Sequence, residues 1–322
     1  MKIYDINKYA EKAVNDQNNT PLDDFDGLTP NQMEQILYRP FENNTVIKFA
    51  KKAIPGIVAE SPLFLIAWDL LSTLSEKNGV KLSSKGYMPF KLVKSIYDKG
   101  YLTDDLIEDG DIEFRSEYDW LLLFVVRHLL LITELAEIKN NTLLLTKHGA
   151  DLFEHKADYT IYMELLKAFC LGLGWASTDY YPSEEIGQVG FMFMLYLLKK
   201  YGGTPRNPAF YEEKYFRAFP MLTVEEDDDE DDDEDDDDKM EYSDHEEDVD
   251  EEEDEFEAEY VPDPEEERMD CLEVRFFERF CLWFGLANLD MDLKLPGGEP
   301  GFEMFENIGT VKRSNLFERI IV

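Results

Sequence analysis

The chain lacks most of the features by which a sequence declares a chemistry. Its 322 residues include only three cysteines and four histidines. They contain no Gly-rich phosphate loop, Gly-x-Ser-x-Gly elbow, His-Glu-x-x-His or Cys-x-x-Cys pair. A non-enzymatic protein is therefore expected, with no catalytic, cofactor-binding or metal-ligating residue to name. A basic stripe is also missing. Nucleic-acid surfaces neutralise phosphates with Lys and Arg, whereas Lys51-Lys52, Lys199-Lys200 and Lys312-Arg313 read as isolated, solvated pairs. The charge balance thus argues against direct nucleic-acid binding. No apolar run reaches the ~18–20 residues that span a bilayer. The best candidate, Trp120 to Ile132, is split by Arg127-His128, and Gly190 to Leu198 is short and ends at Lys199-Lys200. The first residues, Met1-Lys2-Ile3-Tyr4-Asp5, lack the apolar stretch of a signal peptide. Cys170, Cys271 and Cys281 are odd in number and sit in apolar helical patterns, as reduced core thiols do. These absences together predict a soluble, cytoplasmic, disulfide-free protein with no membrane association.

What is present in excess is negative charge. Fourteen consecutive Asp and Glu run from Glu225 to Asp238. Between Glu225 and Arg268 there are 31 acidic residues against two basic ones, Lys239 and Arg268. That segment holds −29 of the −39 net charge, leaving −10 for the other 278 residues. It has too little apolar content to fold, so residues 225–267 are expected to be a disordered acidic insertion. Three roles stay open for it: a solvated spacer, a polyanion that engages a basic partner protein, or an intramolecular cover for lysine-rich patches. The rest is rich enough in apolar residues to bury a substantial core, and the length suggests two or three domains.

Hydrophobic spacing places the elements. Ile6, Tyr9, Ala10, Ala13 and Val14 share one face of a first helix, the pattern of a docking stripe. Thr29-Pro30-Asn31-Gln32 is a capped helix start, for a short helix that ends before Pro40. Ser61-Pro62 opens an apolar helix closed by Gly79, and Val80 to Leu82 is a brief strand. Helices are expected from Phe90 to Asp98 and from Glu117 to Thr133. Two strands, Leu135 to Ile138 and Thr142 to Leu145, join at Asn140-Asn141, a dipeptide suited to a tight hairpin. Helix, strand, helix, helix, strand, strand is the winged-helix order. Its third helix is apolar nearly all round, so it reads as buried rather than laid in a DNA groove.

Helices follow at about Thr160 to Leu173, Glu184 to Tyr201 and Pro208 to Phe219. Folding is expected to resume at Arg268, where Met269, Leu272, Phe276, Phe280 and Trp283 keep helical spacing and Gly285 caps. Leu289, Met291, Leu293 and Leu295 alternate with polar residues, a half-buried strand. A turn at Pro296 to Gly301 leads to a partner strand from Phe302 to Val311, and Leu316, Phe317 and Ile320 close the chain. The expected fold class is mainly α with small β-hairpins, as winged-helix-like modules in a helical body. Its parts are an N-terminal helical segment (1–60), a winged-helix-like module (61–157) and a helical, winged C-terminal domain (158–224 with 268–322).

Several blocks carry a resemblance. Gly27-Leu28-Thr29-Pro30-Asn31-Gln32-Met33, with Leu37-Tyr38-Arg39-Pro40-Phe41, resembles a segment of uncharacterised bacterial proteins. Some of these are grouped with the plasmid Orf-three-like proteins, and others carry a SEC-C metal motif. Val80 to Pro89, Leu144 to Gly149, Arg275 to Leu286 and Ser314 to Phe317 are similar to further segments of them. The resemblance implies a winged-helix-like, mostly helical fold in a bacterial cytoplasmic protein, and it brings no catalytic residues. The SEC-C cysteine cluster is absent, so its metal site does not carry over. The acidic insertion departs from the pattern.

Single residues add little chemistry. His148 and His155 lie seven apart and fall on one helical face, but read as surface histidines. Asp109-Gly110-Asp111 and Asp248-x-Asp250 lack the rest of a calcium loop. The expected function is a non-enzymatic interaction or regulatory protein whose polyanionic loop engages basic partners. The alternative is a DNA-associated transcriptional regulator whose winged-helix surface the acidic loop covers. That alternative needs a basic face assembled from Lys91, Lys94, Lys99, Lys139 and Lys147.

Overall fold

Capped starts and left-handed stops set the helices. The computed structural model describes residues 3–223, 263–293 and 306–322. After α1 (Ile3–Asn18), the Thr29 hydroxyl accepts from the Gln32 N–H while the Gln32 side chain accepts from the Thr29 N–H. This opens α2 (Pro30–Tyr38) with Pro30 in its first turn. The Ser61 hydroxyl caps α3 (Pro62–Lys77), which stops at Asn78 and Gly79, both at positive φ. Next come β1 (Val80–Lys81), α4 (Phe90–Tyr97), the single turn α5 (Asp105–Glu108) and α6 (Leu121–Ile132). A hairpin of β2 (Ala136–Lys139) and β3 (Thr142–Leu145) turns at Asn140-Asn141, whose φ values of 50° and 58° are those a two-residue turn demands. The three strands lie in the order β1-β3-β2, all antiparallel, with Val80 and Ile138 on either side of Leu143.

The second half of the body contains α7 (Lys147–Glu154), α8 (Asp158–Leu171), α9 (Phe191–Tyr201) and α10 (Ala209–Ala218). Beyond residue 262, α11 (Pro264–Leu272) runs on as a π-helix over Glu273–Cys281. β4 (Ala287–Leu293) then pairs with β5 (Glu306–Arg313) across a bulge at Asp290–Met291, and α12 (Asn315–Ile320) follows. The molecule is mainly helical with two small antiparallel sheets. No helix among the described residues is long and apolar enough to cross a membrane.

Four expectations need correction. From Tyr9 onward the stripe of α1 is not docked: Tyr9 and Val14 are exposed, and just past the helix end Asn31 donates to Asn19 at 3.0 Å. The helix expected from Glu184 begins at Phe191, because Gly187 and Gly190 hold the chain at positive φ. Folding resumes at Pro264 rather than Arg268. Asp263 caps α11 and Glu265, Glu266 and Glu267 occupy its first turn, where the helix dipole favours negative charge. Acidity there marks a helix start, and the rest of the expected disordered insertion, 225–262, lies outside the described residues. The second strand of the C-terminal hairpin starts at Glu306, and the turn expected at Pro296 to Gly301 also lies outside them.

The buried apolar residues form one cluster from Leu28 to Ile321, drawing on both sides of residues 224–262. α6 is central to it, buried on most of its surface against α3 and α8. Its one charged residue, Arg127, is buried too. It pairs with the fully buried Glu117 at 2.8 Å and donates to the Gly86 carbonyl at 2.8 Å. A second buried pair ties α11 to the loop before α9. Arg275 donates to both Asp179 oxygens at 2.9 and 2.7 Å, and its remaining nitrogen reaches the Ser183 and Ile186 carbonyls. Arg279 also donates to Asp179, at 3.0 Å.

Where α10 meets α11 the core contains a pair of acids instead. Glu212 is only 1% exposed and its side chain bonds to that of Glu273, with Asp270 adding like charge. Burial first, and these neighbours second, push the Glu212 carboxyl up to about 9. The folded state therefore holds a proton that the unfolded state releases above its ordinary value of 4.5.

Two stability predictions follow from these contacts. Arg275→Ala leaves the buried Asp179 carboxylate with Arg279 as its remaining cation and the Tyr181 N–H as its other donor, and should cost about 3–5 kcal/mol, read as a lower urea midpoint. The Glu212 contribution is full below the ordinary carboxyl range and is lost as pH rises toward 9. Wild-type stability should accordingly fall from pH 5 to pH 9, and Glu212→Gln should flatten that slope in thermal melts.

Candidate functional site

An apolar groove of about 490 Å³ opens where α2, the end of α8 and the segments flanking α9 and α10 meet. The α2 start described above presents Met33 and Ile36 to its floor, and Pro40 ends the helix so that Tyr38 stands at the rim. The end of α8 supplies Cys170 and Leu171. Phe191 and Phe219 form the far wall, and Met221 and Leu222 form the lip. The floor residues are buried, whereas the rim is open: Tyr38 is 79%, Leu171 62% and Met221 62% exposed. Exposed apolar rims of this kind mark interaction sites on soluble proteins.

Polar groups fix the walls. The Gln188 amide donates to the Cys170 and Leu173 carbonyls at 3.1 and 2.8 Å and accepts from the Trp175 N–H at 3.0 Å, so it satisfies the end of α8. The Tyr215 hydroxyl donates to the Val189 carbonyl at 2.6 Å and accepts from the Gly187 N–H at 3.0 Å. Gly190 has φ of +79°, and a Cβ there would lie 2.5 Å from the Phe219 ring. Phe25 enters from the loop before α2, which Asp26 anchors. Its carboxylate accepts from Lys200 at 2.7 Å, Lys214 at 2.8 Å and Tyr201 at 3.1 Å. Burial opposes its ionisation, yet these bonds hold its carboxyl below the usual range. Among the described residues, Glu185 is the one charged side chain that lines the groove.

No family model, curated protein or solved structure matches the chain. Geometry therefore carries the functional argument.

The residues singled out in the sequence do not converge. His148 bonds Glu164 at 2.9 Å, whereas His155 caps α7 against the Asp151 carbonyl, so the two face different partners. Asp248-x-Asp250 lies outside the described residues. Cys170, Cys271 and Cys281 are buried and unpaired, and burial pushes all three thiols up, Cys271 to about 12. Of the five lysines proposed as a DNA face, three are engaged by carboxylates: Lys94 by Asp98, Lys99 by Asp69 and Lys139 by Glu137. The groove itself was missed because its walls come from five separate segments. A signal was present in Gly187 and Gly190, which break an otherwise helical pattern.

Gly190→Ala should destabilise the fold by more than about 1 kcal/mol, since it adds both strain and a clash. Leu171→Ser, at the rim, should stay within about 0.5 kcal/mol. Thermal melts of the two variants side by side check this.

Proposed function

We propose that the protein is a non-enzymatic interaction module whose groove receives an apolar face of a basic partner segment. One observation carries the reading. The groove's lip, Met221 and Leu222, lies directly before the chain's fourteen consecutive acidic residues. Glu225 follows Thr223 by two residues, and a chain reaches at most about 3.6 Å per residue. In sequence, the polyanion thus begins within three residues of the apolar lip. An amphipathic helix with Leu or Phe on one face and Lys or Arg on the other matches both features. The apolar side chains supply most of the affinity, and the charges supply encounter rate and selectivity.

The same proposal treats residues 61–157 as a winged-helix-like scaffold rather than a DNA reader. Supporting it are the order α3-β1-α4-α6-β2-β3, interrupted by the single turn α5 between α4 and α6, the strand order β1-β3-β2 and the tight β2–β3 turn. The burial of α6 and the pairing of Lys94, Lys99 and Lys139 favour a protein partner over a nucleic-acid one for this module. Cytoplasmic location belongs to the same proposal.

A synthetic leucine–lysine amphipathic helix serves as the probe, with affinity measured by calorimetry. Leu171→Asp combined with Met221→Asp should weaken it roughly tenfold, about 1.4 kcal/mol. Deleting residues 225–259 should remove most of the salt dependence. Unchanged affinity in the double variant would reject the groove as the seat of binding.

A further inference from the structure

A second depression shares no residue with the apolar groove. Two cavities of about 410 and 400 Å³ adjoin between the strap that runs from Phe41 to Val58 and the first turns of α8, and Lys51, Tyr159 and Thr160 line both. The strap is held from three directions. The Ala50 N–H donates to the Ile320 carbonyl at 2.7 Å, the Val322 N–H donates to the Lys48 carbonyl at 2.8 Å, and the Tyr159 hydroxyl donates to the Ala50 carbonyl at 2.7 Å. The depression is therefore formed in advance, which lowers the ordering cost of binding.

Its charge is out of character for the chain. Lys48, Lys51, Lys52, Lys156 and Lys167 line it, all exposed. Among the described residues none of the five makes an ion pair, and the same holds for Lys77, Lys81 and Lys91 of a separate depression; what sets this one apart is five lysines along two adjoining cavities beside aromatic rings. Three acids share the lining, Glu42, Asp158 and Glu164, and the last is engaged by His148. A surplus of unpaired ammonium groups in a protein of net charge −39 calls for a ligand of opposite sign. The rings give that ligand a shape. Partly exposed Phe41 lies 5.4 Å from Phe49, and the Lys167 ammonium is 5.7 Å from its centroid. Ammonium groups interleaved with ring faces bind phosphate through the first and flat bases through the second.

We propose that this depression binds phosphate esters of a flat aromatic base, the chemistry of a nucleotide, free or within a single strand. An acidic peptide would meet the lysines and leave the rings without a stacking partner. A duplex hides its bases from them. The negative charge elsewhere is screened beyond about 8 Å at physiological ionic strength, so the local lysines govern the contact.

The test uses the full chain with three probes: ATP, inorganic tripolyphosphate and a fluorescein-labelled oligouridylate. ATP or the oligonucleotide should bind, and Lys51→Glu with Lys156→Glu should weaken that probe by roughly tenfold or more. Lys85→Glu, an exposed lysine outside the depression, should change nothing, and circular dichroism checks that each variant is folded. Lys167→Glu alone should weaken binding if the double variant does not fold. ATP binding assigns the free nucleotide as ligand, while preference for the oligonucleotide with a steep inverse salt dependence assigns the single strand. Binding of neither probe would overturn the proposal. So would equal losses in Lys85→Glu, or tripolyphosphate binding as tightly as ATP.

Discussion

Buried carbonyls at the end of the long C-terminal helix must find donors, and nearly all of the architecture depends on where those donors come from. The Trp283 carbonyl accepts from the Ser61 hydroxyl at 2.9 Å, 222 residues away in sequence. The Phe284 carbonyl accepts from the Tyr162 hydroxyl at 2.9 Å, 122 residues away, and the Gly285 carbonyl accepts from Ser314 at 2.6 Å. Gly285 is required at that crossing, since a Cβ would lie 2.5 Å from the Glu60 carbonyl oxygen. An unpaired buried carbonyl costs about 1–3 kcal/mol, so the first helix of the central module and the last segments of the chain stabilise one another.

That closure also places both candidate surfaces. Arg275, on the π-helical stretch, grips the Ser183 and Ile186 carbonyls and Asp179, and so shapes the loop that leads to Gly187, Gln188 and Gly190 at the apolar groove. The strap under the lysine-lined depression is held by Ile320 and Val322 at the other end of the same C-terminal segment. Removing the C-terminal segment would therefore loosen two surfaces that share no residue. π-helical turns recur at functional positions because they re-aim side chains relative to an α-helix. Here Arg275, which reaches Asp179, and Glu273, which reaches Glu212, both lie on that stretch.

Local chemistry was legible in the sequence. Thr29 with Gln32, Ser61 with Pro62, and Asn140-Asn141 each specify an element through neighbours a few residues away, and each forms as its residues dictate. The apolar character of α6 likewise announced its burial. What failed did so because it depended on distant partners. The α1 stripe has the right spacing, yet Tyr9 and Val14 stay exposed. Glu212 and Glu273 are two carboxylates among 71 in sequence, and only the packing of α10 on α11 makes them a pair. Lys51-Lys52 is exposed and without an ion pair, as its sequence suggests, but only the fold brings Lys156 and Lys167 to the adjoining cavities. Asp263 to Glu267 was read as more polyanion, although Asp followed by Pro is a helix start in its own right.

The central claim is that segments on either side of residues 224–262 share one core and cannot fold apart. Co-expression of Met1–Thr223 and Asp263–Val322 as separate chains tests it most directly. The two should co-purify as a one-to-one complex that unfolds in a single cooperative transition, while Met1–Thr223 alone lacks a cooperative melt. A cooperative melt of the first piece alone, or failure of the pieces to associate while both are folded, would contradict it.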